Sequence, residues 1–266
     1  PTGLVYDRLS KGMNLDSALN DMKNVFSVSD EKISLLRKTI ENQLLLPKPD
    51  KNQIDIYVGI PYCPSKCRYC SFISSLVPSV EEMRRYVDTL LFEIEKGREL
   101  IAELGFNIRA FYMGGGTPTS LPDKLFEKLL KGLDKTLKSA EEATIEAGRP
   151  DTITQTKLEL IKDFGVKRIS INPQTMHDST LELIGRRHTR EQAENAYAIA
   201  RKIGIESINM DLIAGLPSEN EDMFNQSLLW AGQISPESLT IHSLSIKRGS
   251  NTHLFGDKLS ESRVVT

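Results

Sequence analysis

Three cysteines, Cys63, Cys67 and Cys70, fall within eight residues, and the chain has no other. Their spacing is C-x3-C-x2-C, in the string Tyr62-Cys63-Pro64-Ser65-Lys66-Cys67-Arg68-Tyr69-Cys70. Thiolates are soft ligands that select zinc or iron–sulfur clusters. A disulfide scaffold would spread an even number of cysteines along the chain, so three neighbouring thiols read as one metal site. A four-iron cube held by three cysteines keeps one iron open, where a small molecule can chelate and receive an electron. Structural zinc instead wants four protein ligands. The fourth would have to be His177, His188, His242 or His253, all distant in sequence. Pro61, Pro64, Ser65 and Lys66 mark a loop, which argues against inert core cysteines.

Other constellations follow along the chain. Gly114-Gly115-Gly116-Thr117 presents a backbone without side chains, so a ligand can touch it; the same run also suits a tight turn that packs a helix closely. Glu146, amid Ala147 and Gly148, suits an ammonium or hydroxyl ligand, although a lone Glu is more often a solvated loop charge. Gln174 offers a donor and an acceptor, and Arg186 a guanidinium that can grip a carboxylate bidentately. Arg187 and His188 adjoin Arg186, and spacing does not choose among them. Asp211 interrupts an apolar stretch, Met210-Asp211-Leu212-Ile213, where a charge is costly unless it is paired or bound.

These residues need elements to position them. Residues 14–46 read as two amphipathic helices, the second capped by Ser29, and 47–49 (Pro-Lys-Pro) ends this arm. From residue 54, strands at 54–60, 108–113, 143–146, 166–172, 208–213 and 238–245 alternate with helices at 80–104, 125–137, 154–163, 189–204 and 222–232. Thr189-Arg190-Glu191-Gln192 has capping-box form, and Gly204 stops the helix that it opens. Six strands alternating with helices imply a parallel sheet with right-handed crossovers. Cys63, the glycine run, Glu146, Gln174, Asp211 and Ser243/Ser245 each fall at or just past the C-terminal end of a successive strand. In parallel α/β folds that edge carries the active site.

The gross numbers bound the rest. The chain has 266 residues, is 39% hydrophobic and carries a net charge of −2. It can bury a sizeable core, and its charge gives no reason to expect nucleic acid. No apolar run approaches the roughly 18–20 residues of a membrane span, and the N-terminus has no signal-peptide pattern. The expected setting is cytosolic.

The C-x3-C-x2-C segment after the first strand, with Tyr69 before the last cysteine, resembles the radical S-adenosylmethionine superfamily. The surrounding string is similar to the oxygen-independent coproporphyrinogen III oxidase-like family, in the coproporphyrinogen dehydrogenase type of Gram-positive bacteria. The resemblance covers roughly residues 52–255. It implies an α/β fold, a partial (β/α)6 barrel over 51–266, behind a helical N-terminal arm over 1–50, with the family's C-terminal domain absent. It implies a [4Fe–4S] cluster on Cys63, Cys67 and Cys70, and S-adenosylmethionine as second cofactor. Gly115, Gly116 and Thr117 match the GGGTP motif that holds the methionine ammonium. Tyr69 and Glu146 match cofactor-binding positions; Gln174 and Arg186 match contacts to ribose and carboxylate. Asp211 matches a ribose ligand, and Ile213 and Ser245 an adenine pocket. Tyr57 matches a functional tyrosine.

The implied reaction removes hydrogen and CO2 from propionates of coproporphyrinogen III, leaving vinyl groups, with an unidentified electron donor as partner. Gly59 stands where the best-known members carry histidine, and Phe72 where they carry a further cysteine. Relatives sharing the Cys-x-Phe ending, here Cys70-Ser71-Phe72, resemble the oxidase but transfer haem, so a haem-binding chaperone is one alternative reading, and a radical S-adenosylmethionine enzyme acting on another substrate is the other.

Overall fold

The structure is a computed structural model that describes residues 2–46, 50–72, 74–245 and 249–250. The expected boundary at 47–49 and His253 lie outside the described residues. The chain divides into two compact units, Pro1–Lys51 and Asn52–Thr266.

The first unit holds three helices where two were expected: α1 (Thr2–Ser10), α2 (Leu15–Phe26) and α3 (Asp30–Leu44). Val5, Ala18, Leu19, Met22, Leu36 and Ile40 form its core. Asn14 caps α2 by accepting from the Ser17 N–H, and Ser29 caps α3 through the Lys32 N–H. Helix α1 buries only Val5 fully and has no acidic first turn, so it lacks the apolar stripe that betrays a helix in sequence.

The second unit is built on a six-stranded parallel sheet. Its strands are β1 (Gln53–Ile60), β4 (Asn107–Gly115), β5 (Glu142–Gly148), β6 (Arg168–Gln174), β7 (Ser207–Ala214) and β8 (Ser238–Ser243). They pair in that order, each beside the next in sequence. A doubly wound sheet reverses its order partway; this one does not. Right-handed crossovers that never reverse put every connecting helix on one face, as in a barrel left open between β1 and β8. The helices are α4 (Val80–Glu103), α5 (Asp123–Ser139), α6 (Gln155–Asp163), α7 (Asp178–Leu183), α8 (Arg190–Ile203) and α9 (Glu221–Ile234). The six-residue α7 was not anticipated. A two-stranded ladder, β2 (Tyr62–Cys63) with β3 (Ser75–Leu76), follows β1.

Alternation along the strands sorts the side chains. Val58 and Ile60, Phe111 and Met113, Ile145 and Ala147, Ile169 and Ile171, Met210 and Leu212 enter one core with Leu125, Phe126, Leu129, Leu130 and Leu133 of α5 and Ala193, Ala196 and Ala200 of α8. Each large side chain so buried contributes about 1.5–3 kcal/mol. The intervening positions on the concave face carry Tyr57, Tyr112, Glu146, Ser170, Asn209 and Asp211. The predicted capping box at Thr189 and Gln192 forms, and Gly204 ends α8 with φ of 89°. The ladder register shifts between Glu146 and Gly148 and again between Ile171 and Gln174. Both irregularities sit at the C-terminal edge, where bulges commonly re-aim side chains.

Candidate functional site

The cysteine loop is closed by its own small ladder. Tyr62 pairs with Ser75 and Cys63 with Leu76, and the Val77 N–H donates to the Cys63 carbonyl (3.1 Å). The Cys70 N–H donates to the Cys67 carbonyl (3.1 Å), and the Arg68 N–H donates to Ile184 (2.9 Å). Backbone bonds therefore tie the loop to its own small ladder and to the end of α7. All three cysteines are free thiols. They open on one cavity of about 70 Å3, with Tyr69, Gly115, Gly116, Thr117, Glu146, Asn172 and Arg186 also in its wall. A larger, more open cavity of about 400 Å3, lined by Arg68, Ser179, Thr180, Glu182, Leu183 and Ser218, holds no thiol. Chemistry, not volume, selects the smaller one.

The glycine run is required by close packing of the chain itself. A Cβ on Gly116 would lie 2.6 Å from the Tyr62 carbonyl oxygen and 3.0 Å from Cys63 Sγ. The Gly116 N–H donates to Ile60 (2.7 Å). Thr117 Oγ1 stands 3.7 Å from Cys63 Sγ. The run thus presses β4 against the root of the cysteine loop.

Glu146 accepts a hydrogen bond from the Tyr112 hydroxyl (2.6 Å). Burial pushes its carboxyl pKa above the usual range and the Asp211 charge adds to that, while the Tyr112 hydroxyl and the Gly115 N–H oppose it. Tyr112 is raised by burial and then by Glu146. Tyr57 stacks on Tyr112, with ring centroids 6.0 Å apart and planes 11° from parallel, and is 61% exposed. It is therefore no core aromatic; it lies open on the concave face, one ring from Glu146. Arg186 donates to the Tyr69 hydroxyl (3.2 Å) and to the Asn172 carbonyl (2.7 Å). Burial raises the Tyr69 phenol, and it also raises the Cys70 thiol, which the Phe72 N–H partly offsets.

Other expected residues stand outside the cavity wall. Gln174 ends β6 at φ 75°, buried, with Oε1 lacking a partner. Asp211 accepts from Asn209 Nδ2 (2.6 Å) and lies 3.9 Å from His242 Nε2, so its charge has protein partners. Ile213 packs with Leu181, Ile184 and Leu216, against Tyr69. Ser245 is exposed beyond β8. Sequence reasoning missed Tyr112, which resembled one more apolar strand residue, and Arg149, whose Arg-Pro context carries no periodic signal. Arg149 lines the cavity and is buried.

The three histidines among the described residues do not line the cavity. His177 Nε2 meets the Met223 carbonyl (2.9 Å) and His188 Nε2 the Pro173 carbonyl (3.2 Å). Burial, with Arg186 nearby, pushes the His188 pKa down to about 3. Among the described residues, no three His, Cys, Asp or Glu side chains are placed to hold a single metal ion.

A family model described as the Radical SAM superfamily matches residues 57–231. The oxygen-independent coproporphyrinogen-III oxidase-like protein HemZ of Bacillus subtilis (strain 168) is 39% identical over 259 residues, 94% of this chain and 51% of that protein. The haem chaperone HemW of Escherichia coli (strain K12) is 31% identical over 207 residues, 77% of this chain and 53% of that one. The solved coproporphyrinogen III oxidase HemN of Escherichia coli, a radical SAM enzyme, aligns with a TM-score of 0.66 at 25% identity, covering 84% of this chain and 54% of its own. The chain spans about half the length of the relatives it matches.

The cofactors of the matched superfamily are a [4Fe–4S] cluster and S-adenosylmethionine. The residues present fit them. Three free thiols share one cavity. Asn172, in the same wall, carries a buried Oδ1 without a partner. The fold, the thiols and the sequence match agree, and the chain belongs to the radical SAM superfamily.

Proposed function

We propose that Cys63, Cys67 and Cys70 hold a [4Fe–4S] cluster with S-adenosylmethionine beside it, and that the protein oxidatively decarboxylates propionates of coproporphyrinogen III to vinyl groups, giving protoporphyrinogen IX. One observation carries the reading: all three thiols, Gly115, Gly116, Thr117, Glu146 and Arg186 face a single cavity at the C-terminal edge of the sheet. When bound, the reduced cluster and S-adenosylmethionine supply a 5′-deoxyadenosyl radical able to take hydrogen from a C–H bond. This chain's residues bind and orient. The three thiolates ligate iron, and Tyr69 backs the last of them. The Gly115–Gly116 backbone and Thr117 receive the methionine ammonium, with Glu146 as an acceptor. Arg186 takes the carboxylate, Gln174 and Asp211 the ribose hydroxyls, and Ile213 and Ser245 the adenine. Tyr57 presents its ring on the substrate side. An electron donor and a tetrapyrrole are the partners required, in a cytoplasmic setting, with no nucleic acid. No helix among the described residues is long and apolar enough to cross a membrane.

The test is anaerobic incubation of the reconstituted protein with coproporphyrinogen III, S-adenosylmethionine and a chemical reductant, followed by product analysis. Vinyl-bearing product supports the oxidase. A second reading, haem transfer without decarboxylation, is favoured by the similarity to HemW proteins and by Phe72 at the place of a further cysteine. Tight haem binding with no vinyl product would establish that alternative in its stead.

A further inference from the structure

A guanidinium stands directly behind the cysteine loop. Arg149 follows β5 and is 3% exposed. Its Nη1 donates to the Ser65 carbonyl oxygen (3.1 Å) and to Ser65 Oγ (2.7 Å). The same nitrogen reaches Cys67 Sγ at 3.9 Å. Nε and Nη2 donate to the two carboxylate oxygens of Asp151, each at 3.1 Å. The Ser65 hydroxyl in turn donates to the Gly185 carbonyl oxygen (2.8 Å).

A buried charge needs a partner and full use of its donors. Asp151 alone would supply the partner. The remaining nitrogen, Nη1, is turned to the loop, where its two N–H groups are shared among the Ser65 carbonyl, Ser65 Oγ and the Cys67 sulfur. Lysine, a point donor, could not span both sides. Arg186 does not duplicate the arrangement, because it bonds to Tyr69 and Asn172.

We propose that Arg149 is a positioning residue for the cluster site: it fixes the Ser65–Cys67 turn and aims an N–H dipole at the Cys67 sulfur, raising the reduction potential of the cluster held there. Donors to a ligating sulfur favour the reduced, more negative state, and partners behind the ligands orient them. The inference rests on the reading of Cys67 as a cluster ligand.

Four proteins test it: the wild type, Arg149→Met, Arg149→Lys and Ser65→Ala. In metal-free protein, the alkylation rate of Cys67 is followed by peptide mass mapping. After anaerobic reconstitution, iron per chain and the midpoint potential are measured by EPR-monitored titration. Arg149→Met should speed Cys67 alkylation roughly tenfold, because freeing the Ser65–Cys67 turn exposes a buried thiol, an effect set by the lost charged hydrogen bonds that outweighs the loss of a cation favouring thiolate, and move the potential to a more negative value. Arg149→Lys should recover part of the potential but little of the protection. Ser65→Ala should speed alkylation with a smaller change in potential.

Wild-type alkylation and wild-type potential in Arg149→Met would overturn the proposal. Faster alkylation with an unchanged potential would overturn its redox half. If Arg149→Met does not fold, unchanged Cys67 reactivity in both Arg149→Lys and Ser65→Ala is the contradicting result. A wild type that binds no iron defeats the cluster reading alone, and the alkylation comparison still decides whether Arg149 holds the loop.

Discussion

The two flanks of the open barrel are finished to different degrees. At the C-terminal ends of β1, β4, β5 and β6, the chain is tied down by buried groups: Arg149 on Ser65, Arg186 on Asn172, the Gly116 N–H on Ile60, and the β2–β3 ladder around Cys63. At β7 and β8 the ties thin out. Leu239 and Ile241 on β8 are 40% and 50% exposed, and Ser243 and Ser245 face solvent. The first flank encloses its cavity with protein atoms. The second offers Asp211 and Ile213 from one strand, β7, and Ser245 from the chain beyond β8. Ligand atoms, not protein contacts, would have to unite them. The chain is thus closely tied around the three thiols and more open along β7 and β8.

Substitutions on the two flanks should differ in what they disturb. Cys67→Ala should abolish the brown iron–sulfur absorption after anaerobic reconstitution, since two thiolates do not hold a four-iron cube; a normal spectrum would count against the preformed flank. Gly116→Ala should come next. Its Cβ would meet the Tyr62 carbonyl and the Cys63 sulfur, a clash costing about 1–3 kcal/mol in urea unfolding and lowering iron content. Asp211→Ala, on the open flank, should weaken S-adenosylmethionine binding about tenfold by calorimetry, the loss expected for one charged hydrogen bond, and spare the cluster. Equal affinity would remove Asp211 from the site.

The smallest effect is a pH dependence. The folded pKa of Glu146 is raised, first by burial and then by Asp211. A carboxyl with a raised folded pKa favours the folded state fully below its unfolded value, roughly 4.3, and that contribution is lost as pH rises through the folded value. Glu146→Gln should therefore melt higher than the wild type at neutral pH, with the gap closing towards pH ~4. A gap that widens on acidification would show that the tie to Tyr112 outweighs burial.

Much of the preformed flank was legible because its residues are contiguous. Three thiols at fixed spacing and three adjacent glycines carry their meaning in the string itself, and the strand-ending positions of Cys63, Glu146 and Gln174 follow from period-two alternation. The physical role of the glycines was half seen: openness was anticipated, but the close approach of Gly116 to Tyr62 requires knowing that β4 lies beside β1. Tyr112 and Arg149 were invisible for the same reason, since each acts on a partner at long separation, Glu146 and Ser65. Helices α1 and α7 escaped because one buries a single valine fully and the other has six residues, too little for a periodic signal. The roles of Ile213 and Ser245 come from family resemblance, and the packing of Ile213 against Leu181 and Ile184 is what any core isoleucine does.

In the proposed site three thiols share one cluster, with an iron left open for S-adenosylmethionine. Anaerobically reconstituted protein should bind about four irons per chain and, given a reductant and S-adenosylmethionine, release 5′-deoxyadenosine. Bound zinc in place of iron, with no 5′-deoxyadenosine formed, would contradict it.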